Sequence, residues 1–360
     1  MNEKVQFVPK IEENEISSFQ TKWSAPSNIA LVKYWGKKEF QIPCNPSVSL
    51  TLNRCRTTTS VRFKRYTDNL NRVTFGIKYD GNPAPSFEPK VKTFIDRILP
   101  YAPYLNKYHL QIDTVNSFPH SSGIASSASA MAALAASIMD LEKQIYPSLT
   151  AINQKKKCSF LARLGSGSAA RSVEGPIVLW GCHPATPKSS DLFGVPWTKV
   201  SDVFKTYQDT ILLVDKGNKE ISSTVGHSLM HNHPFAENRF IQAKDHYKLL
   251  LTILEKGDMN GFCDLIEQEA LSLHAMMLTS SPSYILMHPN TIQIIQEVRR
   301  YRKITGLHFA FTLDAGANVH LLYPEHQAEK INQFIESNLR KYCQDNELIF
   351  DRVGTGVKKV

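Results

Sequence analysis

Several segments of the 360-residue chain put proton-handling or anion-handling side chains beside backbone that can turn sharply. In PHSSGIASSASA (119–130), Gly123 permits an unusual turn, and small Ala and Ser side chains let a ligand approach the main chain. The Ala-rich run behind it makes this a helix N-terminus, where free N–H groups and the helix dipole favour phosphate. The serine hydroxyls add hydrogen-bonding capacity and could help to hold a magnesium ion. A tightly packed Ala/Ser helix with an ordinary cap explains the same residues. Neither a GxxxxGK[ST] loop nor an HRD and DFG set occurs in the chain, so a nucleotide held here belongs to neither of those classes.

In GSGSAARS (165–172), Gly165, Gly167 and Ala170 fit the loose GxGxxA dinucleotide pattern. That fingerprint needs a strand ahead of it, and KKKCSFLARL reads as helix. Ser166, Ser168 and Arg171 suit an anionic substrate instead, with the guanidinium forking onto a carboxylate or phosphate. In TLDAGANV (312–319), Asp314 ends an apolar strand beside Gly316. It is either a turn cap or a general base aimed into a cleft, and nothing local decides. In SNIALVKYWGKKEFQIPCNPSVSLTL (27–52), Lys33 and Lys37 flank Tyr34 and Trp35. A surface strand that buries the aromatics and leaves both lysines in water explains this equally, with Asn28 and Asn45 as turn residues. His227, His231 and His233 form HxxxHxH without an HExxH motif, so they are expected as exposed or substrate-rim side chains rather than zinc ligands.

The elements that must carry these residues are mixed. Strands are expected at 57–66, 71–81 (ending in an Asp-Gly turn) and 108–115, where Thr, Val, Phe and Tyr dominate or apolar residues alternate. A further strand is expected at 209–215. Helical spacing then runs through 233–258, 263–280 and 290–306, the last ending in basic residues and Gly306. Two strands around a Gly-bearing turn are expected at 308–324, and a helix at about 325–343 closes the chain. The class is α+β in both halves, with an N-terminal extension over 1–20 and domains over 21–200 and 201–360.

Composition bounds the function. With 42% hydrophobic residues the chain can build real cores, which excludes a disordered or collagen-like body. Lys and Arg number 42 against 33 Asp and Glu, a balance of +9 that asks for an anionic partner. No RNP pattern, zinc finger or long basic run points to nucleic acid. Six scattered cysteines without a CxxC pair read as reduced thiols. The N-terminus lacks a secretory h-region, and the longest weakly polar stretch, 124–139, falls short of the roughly 20 residues of a membrane helix. A cytoplasmic protein without membrane contact is the expectation.

Taken together, these segments resemble the mevalonate diphosphate decarboxylases of the GHMP kinase superfamily. APSNIALVKYWGK, PSVSLTL, SSGIASSAS, GSGSAARS, KEISSTVGH and FTLDAGANV occur in the family's order from residue 24 to about 324. The resemblance implies a two-domain α+β fold with ATP and substrate in the cleft between the domains. It implies a reaction in which ATP and Mg²⁺ phosphorylate the 3-hydroxyl of mevalonate 5-diphosphate, after which phosphate and CO₂ leave. On that resemblance Asp314 matches the base, Lys33 the lysine near the reacting carbon, and Arg171 the arginine on the substrate carboxylate. Tyr34, Lys37, Ser166, Ser168, Ser222 and Ser223 match substrate-binding positions. Gly123, Ala125, Ser126 and Ser127 fall in the ATP phosphate loop, and Mg²⁺ comes mainly through ATP with Ser127 the protein hydroxyl in reach. A homodimer is expected from the resemblance alone. Thr224 stands where many bacterial members carry a diphosphate-binding arginine, which keeps a mevalonate 5-phosphate decarboxylase as the alternative. A GHMP kinase that never decarboxylates is the other, marked by ADP release without CO₂.

Overall fold

A computed structural model describes residues 6–9, 14–68, 71–119, 124–148, 150–217 and 223–360. The first half contains β1 (Ser18–Val32), β2 (Ser47–Arg65), β3 (Thr74–Tyr79), β4 (Asn82–Pro83), α1 (Glu88–Ile98), β5 (Tyr108–Asn116), α2 (Ser126–Ile145), α3 (Ala151–Gly165), β6 (Ile177–Trp180) and β7 (Val195–Pro196). The second contains α4 (Asp202–Lys205), β8 (Gln208–Leu212), α5 (Ser223–Ser228), α6 (Ala236–Lys256), α7 (Met259–Leu278), α8 (Pro289–Thr305), β9 (Ala310–Leu313), β10 (Val319–Tyr323), α9 (Ala328–Phe334), β11 (Leu348–Arg352) and β12 (Lys358–Lys359).

The first sheet runs β12-β1-β2-β5-β3-β4, with β6 and β7 continuing from the other end of β2. The long β1 and β2 pair antiparallel from Ser18↔Lys64 to Val32↔Val48. Strand β5 alternates buried and open positions, as Tyr108, Leu110 and Ile112 turn inward. The α2 helix is buried along most of its length, which its many alanines permit by letting neighbouring backbones come close. Phe7, from the segment expected as an extension, stacks on Phe160 of α3 with centroids 4.5 Å apart.

The second sheet runs β11-β8-β10-β9, all antiparallel. Helix α6 ends at Gly257 and α8 at Gly306, both left-handed with φ of 75° and 68°, the backbone a C-terminal glycine adopts without strain. Helix α7 begins earlier than its apolar spacing predicts, because Asp258 caps it by accepting from the Gly261 N–H at 2.9 Å. One hydrophobic cluster joins Ile29, Leu31, Val48 and Leu50 to Tyr247, Leu250, Phe262, Ile266 and Ala310, so the two sheets share a core.

Two expectations need correction. The closing helix changes pitch after α9, passing through a π turn at Ile335–Leu339. It also does not close the chain, because β11 completes the second sheet and β12 returns to the edge of β1. Charged residues such as Asp351, Lys358 and Lys359 hid both strands from an apolar pattern. No described helix is long and apolar enough to cross a membrane.

Candidate active site

A break in strand register aims Lys33. Through Asn28↔Thr51, Ile29↔Leu50 and Ala30↔Ser49 the pairing is regular, then it shifts before Val32↔Val48. Such a bulge adds one residue and re-aims the side chains beyond it. It brings Lys33 to the side already occupied by Asn28 and Ala30, and all three line one cavity. Lys33 is 1% exposed, which overturns the surface-strand alternative. Its Nζ lies 3.1 Å from Asp314 Oδ1. Burial pulls the ammonium below its ordinary pKa, against the opposing pull of Asp314.

Asp314 follows directly after β9. The connection to β10 is held by side chains from elsewhere: His274 Nε2 donates to the Asp314 carbonyl at 3.1 Å, and Thr291 Oγ1 to the Ala317 carbonyl at 2.7 Å. Asn318 accepts from the Asp215 N–H at 2.9 Å and donates to its carbonyl at 2.8 Å. Gly316 has no left-handed backbone, and a Cβ there would meet nothing within 4 Å among the described residues. The turn therefore does not depend on glycine, and the Asp314 carboxylate reaches across to Lys33.

Arg171 ends the turn that follows α3. It is 2% exposed, donates to Ser47 Oγ, and lies over the Trp180 ring at 5.6 Å. Burial lowers its pKa to about 10, so it remains charged. Among the described residues its Nε has no hydrogen-bond partner, and neither has Asn28 Oδ1 or the Tyr34 hydroxyl. These buried orphans all belong to residues lining the cavity, which is the pattern a polar ligand would complete. Gly167 lets Tyr34 close in: a Cβ there would sit 2.6 Å from the hydroxyl and 2.9 Å from Trp180 Cη2. The glycine serves packing rather than a dinucleotide, and helix α3 precedes it instead of a strand.

Ser166, Ser168, Lys37, Ala125 and Ser127 also line the cavity. Ser127 Oγ is 3.3 Å from Ser166 Oγ, so the two Gly/Ser segments meet. Among the described residues no side chain caps the N-terminus of α2, and Ala125 before it is left-handed at φ 40°. Ser126 starts α2 but does not line the cavity. Gly123 and Ser222 lie outside the described residues, and Ser223 is described only as the start of α5.

His227 and His233 are buried, while His231 is exposed as expected. His227 packs on Tyr34 and Trp35 at 4.2 and 5.0 Å between centroids, and its Nδ1 accepts from the Gly36 N–H at 3.0 Å. Burial takes its pKa down to about 3, so it is a neutral wall of the cavity with its proton on Nε2. His233 bonds to the Met276 carbonyl at 3.0 Å. Among the described residues no group of three or more His, Cys, Asp and Glu side chains could hold a metal ion.

Sequence reasoning named Asn28 only as a turn residue and passed over Glu269 and His274. Asn28 was open to discovery through its place on the Lys33 strand, where its Nδ2 donates to Ser172 Oγ at 2.7 Å. Glu269 and His274 gave no local signal, being polar members of an amphipathic helix.

The comparisons decide the family. A model described as Diphosphomevalonate decarboxylase-like N-terminal domain matches residues 25–190, and Mevalonate 5-diphosphate decarboxylase C-terminal domain matches 210–355. The diphosphomevalonate decarboxylase of Ganoderma lucidum is 30% identical over 339 residues, covering 89% of this chain and 82% of that one. The chain belongs to the diphosphomevalonate decarboxylase family. Among solved diphosphomevalonate decarboxylases, the Staphylococcus aureus enzyme aligns with a TM-score of 0.81 at 27% identity, over 95% of this chain and 98% of that one. A second structure, "MDDEF in complex with MVAPP, AMPPCP and Magnesium", gives 0.81 at 25% identity over 95% and 99%. The fold is accordingly the two-domain α+β fold of the GHMP kinases that the sequence led one to expect.

Proposed function

We infer that the chain is an ATP-dependent decarboxylase converting mevalonate 5-diphosphate into isopentenyl diphosphate, ADP, phosphate and CO₂. The observation that carries this reading is the Lys33–Asp314 pair at 3.1 Å, on the wall of a cavity that also holds Arg171. The complex of a family member with MVAPP, an ATP analogue and magnesium supports the choice of ligands.

Bound ATP with Mg²⁺ supplies the phosphoryl group that turns the 3-hydroxyl into a leaving group. Asp314 accepts the proton of that tertiary alcohol as the oxygen attacks. Lys33 offers positive charge to the phosphate oxygens that depart from C3, where positive charge grows on carbon. Arg171 holds the substrate carboxylate through its unpartnered Nε, so the electrons of the breaking C–C bond flow toward C3 as CO₂ leaves. Ser166, Ser168, Tyr34 and Lys37 bind the rest of the substrate, with Ser222 and Ser223 assigned to it from the family pattern. The uncapped start of α2, with Gly123, Ala125, Ser126 and Ser127, takes the nucleotide phosphates. We take the domains as residues 21–200 and 201–360, a division supported by family models that match 25–190 and 210–355.

Cytoplasmic location and a homodimer complete the reading. Six scattered cysteines without a CxxC pair support the first, and the second rests on family resemblance and is read by sedimentation. The decisive experiment couples ADP formation to trapped CO₂ with mevalonate 5-diphosphate and, separately, the 5-phosphate. Equal ADP and CO₂ from the diphosphate support the reading. ADP alone reduces the chain to a kinase, and preference for the 5-phosphate transfers the activity to that substrate.

A further inference from the structure

Both members of the Lys33–Asp314 pair are fastened through their main chains, and α7 makes both fastenings. The β1–β2 ladder stops at Val32↔Val48, so the Lys33 N–H needs another acceptor. Glu269 Oε2 accepts it at 2.8 Å, and Asn45 Nδ2 donates to the Lys33 carbonyl at 2.9 Å. Glu269 is fully buried, and its carboxylate also accepts from Arg239 Nη1 at 3.0 Å, Arg239 Nη2 at 2.5 Å and His246 Nδ1 at 2.5 Å. Burial alone would raise its pKa, yet the bonds from His246 and Arg239 outweigh burial and keep it below its ordinary value. On the other side, His274 Nε2 donates to the Asp314 carbonyl. His274 is 2% exposed, and burial brings its pKa to about 4, so near neutrality its single proton sits on the nitrogen that donates.

We propose that His274 is a positioning residue for the decarboxylation, holding the main chain of Asp314 to the same helix through which Glu269 fastens Lys33, so that ammonium and carboxylate address the same substrate atoms. Neither Glu269 nor His274 lines the cavity, whereas Leu273 of the same helix does, so α7 is both wall and brace. A main-chain anchor moves a whole residue rather than one rotamer, and a displacement of about 1 Å can cost about 10²-fold in rate. The Asp314 connection keeps its ties through Thr291 and Asn318 when the His274 bond is cut. The loop therefore persists while its catalytic end is released.

The role rests on the decarboxylase reading, and its test compares His274→Phe, His274→Asn and His274→Gln with wild type. Phe fills the ring's space without a donor, Asn is too short to reach the Asp314 carbonyl, and Gln carries an amide donor at nearly the reach of Nε2. CO₂ release and ADP formation are measured against mevalonate 5-diphosphate and ATP concentration. We expect kcat to fall about 10- to 100-fold in the Phe and Asn variants, with both KM values within about threefold of wild type. The Gln variant should recover to within about fivefold of wild type, a rescue that lost packing alone would not give. Should the Phe variant fail to fold, the Asn and Gln pair makes the same comparison. Wild-type turnover in a folded Phe or Asn variant, or a Gln variant as slow as Asn, overturns the positioning role alone. Absence of CO₂ from the wild-type chain overturns the decarboxylase reading and the role together.

Discussion

Lys33 and Asp314 stand 281 positions apart in sequence and 3.1 Å apart in space, one from each sheet. The contact joins a bulged strand end to a loop held by other elements' side chains, so neither half of the chain can assemble it alone. The buried ammonium beside the carboxylate balances its charge.

Asp314→Asn should lower kcat by about 10²–10⁴-fold while KM changes little, because a base acts in the transition state. Steady-state kinetics with trapped CO₂ measure this. Turnover near wild type with normal substrate affinity would remove Asp314 from the mechanism.

Arg171→Gln keeps a donor for Ser47 but loses the charged fork. A hydrogen bond to a charged group contributes about 1.5–3 kcal/mol, so kcat/KM for the decarboxylase substrate should fall by about 10- to 100-fold. The KM for ATP should stay near wild type. An equal loss for both substrates would argue against a carboxylate partner.

Gly167→Ala forces a methyl against Tyr34 and Trp180. Overpacking of this kind costs about 1–3 kcal/mol, which a melting curve will register. Adding Tyr34→Phe removes the nearest atom, so the double variant should regain part of the loss. No recovery would show that the clash is relieved elsewhere.

Acid should destabilise the fold through His227 and His274. Their native pKa values lie at about 3 and about 4, against an ordinary 6.5. The unfolded chain therefore binds protons that the native chain refuses as pH drops below 6.5, and stability is lost in that direction. Between pH 6.5 and 4 the loss is roughly 3 kcal/mol per histidine. Urea unfolding at several pH values should give a shallower slope for His227→Gln with His274→Gln; an unchanged slope would place the acid sensitivity elsewhere.

Much of this architecture was legible in the sequence, and the parts that were not have physical reasons. Helical periodicity located α6, α7 and α8 because each has an apolar face to bury, α7 and α8 against β9 and α6 against α7, β1 and β2. Local chemistry singled out Lys33, Arg171 and Asp314, yet spacing said nothing of which would touch. The bulge before Val32 was invisible because it depends on pairing with β2, not on the residues of β1 themselves. Ala125 carried a left-handed backbone that residue type assigns to glycine. Glu269 and His274 looked like any polar residues on a helix, since periodicity identifies a buried face but not a polar residue's distant partner.

The return of β12 to β1 has a consequence for the order of events during synthesis. Trp23 pairs with Lys359, the Val360 N–H reaches the Lys22 carbonyl at 2.9 Å, and Arg56 holds the Gly356 carbonyl at 2.8 Å. Chains emerge from the ribosome N-terminus first, so β1 waits for residues 358–360, which are made much later. Until those residues have emerged, β1 keeps an open edge of the kind that invites pairing with a neighbouring nascent chain.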